Sequence, residues 1–308
     1  MGKASRPFLG AIFIAFAVAG ASSAGPYEDA VAAHERADYA TATRLWRPLA
    51  ERGDPAAQLM LGSMFHDGLG VPQDFAEALN WFRRAADQGN ARAQSRVGRM
   101  YQSGSGVAQD YAWALYWYRK AAEQGDATAQ GSLGAMYSSG QGVAKDYAEA
   151  ASWFRKAAEQ GNAIGQRSFG RAYEVGEGVP RDDAQAVRWY RKAADQGDAT
   201  AQNDLGKAYA TGEGVTRDQV QAARWFRKAA DQGEATAQGR LGVMYLAGVG
   251  VPQELCSGVH VARFIGRAGH ETCGGRTGPA CTKHDRSPDR SSQEAGARVE
   301  ANRGTLDV

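Results

Sequence analysis

The chain has 308 residues, with 36 Lys and Arg against 34 Asp and Glu, and a formal charge of +2. A balance this even gives no global electrostatic reason to bind nucleic acid, whose recognition draws on an excess of basic surface. Its three cysteines, Cys256, Cys273 and Cys281, all fall near the C-terminus, so no disulfide framework is expected in the body of the chain.

In chain order, Lys3 and Arg6 precede an apolar run over 8–18, and Ser22, Ser23 and Ala24 supply the small residues of a cleavage site. Residues 1–24 read as a secretory signal peptide, because the run is too short to favour a bilayer span. No cysteine follows it to carry a lipid anchor. The expectation is an exported protein, periplasmic or secreted, with no stable membrane insertion. Residues 25–53 read as an amino-terminal capping half-repeat, in which 39–46 imitates a second helix of the unit that follows.

From Asp54 the same pattern restarts at 54, 90, 126, 162, 198 and 234, a period of 36 residues without drift. A unit this short cannot bury its own apolar face and is stable only when stacked on neighbours, so 54–254 reads as a solenoid of five full repeats and the start of a sixth. Each unit carries two apolar stripes at helical spacing. In the unit from Asp126 these are Ala127, Ala129, Leu133, Gly134 and Tyr137, then Tyr147, Ala150, Trp153, Phe154, Ala157 and Ala158. Asp126, Asn162 and Asp198 stand where side chains cap a first helix, Gly140 and Gly142 supply the turn, and Asp146 with Glu149 resembles a capping box. Gly161 is placed to end the second helix in the left-handed conformation.

Glycine inside a helix costs roughly 1 kcal/mol against alanine, yet Gly62, Gly98, Gly134, Gly170, Gly206 and Gly242 recur there at the repeat period. They are expected to admit a neighbouring helix or its tryptophan. Trp81, Trp117, Trp153, Trp189 and Trp225 accordingly read as core that fills the seam between units rather than as a ligand platform. Arg119-Lys120, Arg155-Lys156, Arg191-Lys192 and Arg227-Lys228 suggest a basic ridge, but acids follow each pair in the same helix, so a solvated, charge-balanced face is expected.

The pattern A-x-A-Q-x-x-L-G, then Y-x-x-G-x-G-V, then A-x-x-W-x-R-K-A-A-x-Q-G resembles the Sel1-like repeat family, a relative of the tetratricopeptide repeat. The resemblance covers about three quarters of the chain. It implies an all-α fold, a right-handed αα-solenoid of antiparallel helix pairs that binds protein partners and performs no catalysis. Some exported relatives carry a disulfide in each repeat and resemble β-lactam hydrolases. This chain has no repeat cysteine, which weakens that alternative of a cell-envelope hydrolase.

After Val251, Pro252 and Gln253 the period breaks. Removing one base near codon 254 can restore Tyr, two Ala and Trp in register. Residues 255–308 therefore read as an irregular or disordered tail translated out of frame, a reading that the nucleotide sequence across codon 254 decides and that leaves open a decayed gene product. His270, Cys273, Cys281 and His284 offer four metal-binding side chains, but their short connection lacks finger spacing. His34 and His66 lack any catalytic companion, and Gly104 and Gly106 join two helices instead of following a strand as a phosphate loop does. No catalytic residue, cofactor or metal is expected. Recognition is left to variable first-helix positions, where Arg96, Arg99, Arg167, Arg171, Lys207 and Arg240 form a basic column suited to an acidic or carboxylate-bearing segment of a protein partner or glycan.

Overall fold

The structure, a computed structural model, describes residues 25–251. The signal segment 1–24 and the tail 255–308, with the metal-ligand set it contains, lie outside the described residues. Those residues form thirteen α-helices and no strand. The first compact unit runs to Lys145 and holds α1 (Pro26–Glu35), α2 (Tyr39–Glu51), α3 (Pro55–Asp67), α4 (Phe75–Asp87), α5 (Ala91–Ser103), α6 (Tyr111–Glu123) and α7 (Ala127–Ser139). The second starts at Asp146 and holds α8 (Tyr147–Glu159), α9 (Ala163–Val175), α10 (Asp183–Asp195), α11 (Ala199–Thr211), α12 (Gln219–Asp231) and α13 (Ala235–Ala247). Within each unit consecutive helices pack on one another, as an all-α solenoid requires.

Helix boundaries follow from local chemistry. Asp54, Asn90 and Asp198 sit in extended backbone and accept from the third N–H of their helices, at 2.8, 2.9 and 2.7 Å. The first helices end at glycines such as Gly104, whose φ of 73° is left-handed. Two residues on, Gly106 also has positive φ, and a Cβ there would lie 2.4 Å from the Phe75 carbonyl group, so this turn rests on the start of the preceding second helix. Asp146 accepts from the N–H groups of Ala148 and Glu149, as expected of a cap. Glu149, however, takes the Trp153 indole N–H at 2.8 Å. In the equivalent turn at Asp74, the cap's own N–H is already bound to the Phe65 carbonyl at 2.9 Å, which leaves nothing for a reciprocal glutamate.

The mid-helix glycines do admit a neighbour, but the ring is the residue after the tryptophan. A Cβ on Gly98 would meet Tyr118 at 2.9 Å, one on Gly62 would meet Phe82 at 2.6 Å, and one on Gly206 would meet Phe226 at 2.7 Å. The tryptophans are core to differing degrees. Trp81, Trp117 and Trp153 are buried, whereas Trp189 and Trp225 are half-buried. The basic pairs are engaged rather than simply solvated. Lys156, Lys192 and Lys228 place ammonium groups 3.7, 4.0 and 4.0 Å from the ring centres of Trp153, Trp189 and Trp225. Arg119 donates to the Tyr137 hydroxyl at 2.7 Å, and Arg191 and Arg227 reach Tyr209 and Tyr245 in the same way.

One buried polar residue ties the helices. Gln94 donates to the Ala86 carbonyl at the end of α4, at 3.0 Å, and accepts from Gln124 at the end of α6, at 2.7 Å. Gln58 and Gln202 repeat both bonds in their own settings. Each amide thus adds a second bond to a helix-end carbonyl, as at Ala86, which also accepts the Gly89 N–H at 3.0 Å, and the buried amide is itself satisfied on both sides. Gln94→Leu is expected to lower unfolding free energy by about 1–3 kcal/mol in urea denaturation, the loss of two hydrogen bonds at about 0.5–1.5 kcal/mol each, whereas Arg92→Thr should stay within about 0.5 kcal/mol of the parent.

Candidate interaction site

First helices carry their variable residues at fixed places in the 36-residue unit, so equivalent positions can be compared directly. In α5 these places hold Arg96 and Arg99, and Arg92 joins them at the spacing i, i+4, i+7 that aligns side chains along one helix face. All three are exposed. Among the described residues none of them takes part in an ion pair or a side-chain hydrogen bond. Partial burial lowers the Arg96 pKa from its usual value, and the charge of Arg99 adds to the effect, with Asp67 and Asp126 acting in the opposite direction. At the places of Arg96 and Arg99, α7 carries Ser132 and Ala135, so the flanking repeat brings short side chains to this register.

The second unit treats its cations differently. Lys207 Nζ lies 2.7 Å from Glu174 Oε1, while Tyr190 donates to Glu174 Oε2 at 2.5 Å. Burial alone would raise the Glu174 pKa, but the bonds from Lys207 and Tyr190 outweigh it and the net direction is down. Arg167 Nε lies 3.4 Å from Asp198 Oδ1. Arg240 donates to Asn203 Oδ1 at 2.9 Å and lies over the Phe226 ring at 5.6 Å. Arg171 is exposed. Of the six residues expected to line one column, Arg96 and Arg99 are therefore free cations on α5, whereas Arg167, Lys207 and Arg240 already have partners on their own unit.

Lys207 and Arg240 come together at the rim of an open groove of about 730 Å³ between α11, α12 and α13, where Phe226, Val243 and Met244 supply apolar lining. A second space, lined by Glu174, Tyr190 and Asp204, measures about 10 Å³, no more than a water molecule needs. This acidic pair escapes sequence reasoning, since Glu174 and Asp204 lie thirty positions apart among many acids placed for capping or solvent. Arg92 also goes unmarked in the sequence, although its spacing from Arg96 was available.

Burial first, and the charge of Glu174 second, push the Asp204 pKa up from 3.8 to about 6. A carboxyl group whose folded pKa is raised disfavours the folded state once ionised. That cost is absent below the unfolded pKa, grows as pH rises through the window from 3.8 to about 6, and is complete above it. Asp204→Asn is expected to raise the thermal midpoint near neutral pH and to leave it unchanged at about pH 3.5, as read by circular dichroism melts at the two conditions.

The Sel1 repeat pattern matches this chain at residues 55–90, 91–126, 127–162, 164–198, 199–234 and 235–255. A protective antigen of uropathogenic Escherichia coli with the Sel1-like fold is 46% identical over 68% of this chain and 45% of its own, with a TM-score of 0.63. The chain thus spans less than half the length of that protein. A Sel1 repeat protein from Oxalobacter formigenes is 38% identical over 72% of this chain and 91% of its own, with a TM-score of 0.68. No curated protein matches. With six matches over more than half of its length, the chain belongs to the Sel1-repeat family.

Proposed function

We propose that this protein is a non-enzymatic scaffold, exported to the cell envelope or beyond it, that captures an acidic segment of a protein partner on α5. Sel1 repeats commonly serve as protein-interaction scaffolds, and no described helix is long and apolar enough to cross a membrane. The observation that carries the reading is the stripe of Arg92, Arg96 and Arg99, three exposed guanidinium groups without acidic partners. Like charges one helical turn apart repel one another, so a chain of carboxylates laid along them relieves that repulsion while it gains attraction. Each exposed pair contributes about 0.2–1 kcal/mol, and three acting together supply specificity for a run of acids that salt screens.

In the second unit Arg171 is exposed, whereas Lys207 is offset by Glu174. In fluorescence anisotropy with a labelled glutamate-rich peptide, Arg96→Glu with Arg99→Glu is expected to weaken binding by at least about tenfold. Lys207→Gln, at a cation already offset by Glu174, should cause almost no loss. Unchanged binding by the α5 double variant would place the acidic partner elsewhere.

A further inference from the structure

The second helix of the same repeat departs from its sisters in another way. At its third and sixth places α6 carries Trp113 and Tyr116, where α4 has Glu77 and Asn80 and α8 has Glu149 and Ser152. Both rings remain open to solvent, 46% and 45% exposed, although nothing in the repeat's packing calls for them. They are also held in place. Trp113 stacks on Tyr101 at 6.0 Å with 23° between the planes, and Tyr116 stands edge-on to Trp113 at 5.4 Å and 85°. Tyr116 in turn meets the buried Trp117 at 5.2 Å. The two exposed rings thus form the walls of a right-angled notch. Lys120, one turn along the same stripe, places its ammonium 5.0 Å from the Tyr116 ring centre, and no carboxylate pairs with it among the described residues.

We propose that this notch docks a proline-rich segment carrying a carboxylate beside its prolines. A folded partner needs about 800 Å² on each side for a stable interface, more than two rings on one helix face supply, so a short linear segment fits better. Pyrrolidine rings stack on aromatic faces, and a polyproline II strand arrives already ordered, which keeps the entropic cost of docking small. The ring arrangement is fixed before binding, which reduces that cost on the protein's side too. Lys120 supplies the charge complement for the carboxylate. The site is independent of the arginine stripe, and either can fail without the other.

The test is fluorescence anisotropy of the full chain with a labelled peptide of alternating Pro-Pro-Glu triplets, alongside versions with Ala for Pro and Gln for Glu. Trp113→Glu and Tyr116→Asn install the residues that α4 already tolerates, so both variants are expected to melt as the parent does. Each should weaken binding of the parent peptide about tenfold. The Ala peptide should lose a comparable amount, and Lys120→Gln should reduce affinity for the Glu peptide but not for the Gln one. Arg96→Glu with Arg99→Glu should keep the response to Trp113→Glu intact. The proposal is overturned if the peptide does not bind, if Ala replaces Pro without loss, or if the ring variants bind as the parent does. Concentration-dependent self-association that Trp113→Glu abolishes would also overturn it, since the notch would then be an interface between copies.

Discussion

A buried amide holds the repeats in register. The glutamine at the fourth place of a first helix, such as Gln94, donates to a carbonyl at the end of the preceding second helix and receives the glutamine that ends the following one. Three helices meet on one side chain that is only 3% exposed. A repeat of 36 residues could slide against its neighbour if apolar contact alone joined them, because burial by itself is non-directional. Two directional bonds remove that freedom, since any slip strands buried donors and acceptors.

Around this tie the remaining constant residues have assigned work. Gly98 lets the Tyr118 ring approach the α5 backbone, and Gly106 lets a turn rest on the start of α4. Asp110 closes the amino end of α6 through two N–H groups. Even the basic pairs belong to the frame, with lysines over tryptophans and arginines at the next tyrosine. What is left free is therefore a small set of departures. In the repeat over 91–126 they are basic on the first helix and aromatic on the second. The free arginines and the open aromatic rings belong to one 36-residue unit, while in the second unit Lys207 and Arg167 are answered by Glu174 and Asp198.

Much of the frame was legible because its causes are local. Caps, left-handed glycines and apolar stripes depend on residues within a turn or two, and the period repeats them until they are unmistakable. Contacts set by rotation between helices were harder. The sequence pointed to tryptophan as the ring against the helix glycines, but the helix presents the next residue, as Phe82 does to Gly62. The glutamine tie was hidden because a polar residue in a helix ordinarily reads as surface. In the candidate site, Arg96 and Arg99 were visible as exceptions to the unit, but the partners of Lys207 and Arg167 lie 33 and 31 positions away and could not be paired without the fold.

The proposed division between residues that build the stack and residues that recognise a partner is tested directly by one exchange. Replacing Arg92, Arg96 and Arg99 with the Thr, Ser and Ala that α7 carries at the same places leaves every frame contact in place. Melting temperature and affinity for an acidic peptide should be measured on the same preparation. Unchanged melting with lost binding is the expected result. Lowered melting with retained binding would contradict it, because the stripe would then belong to the frame.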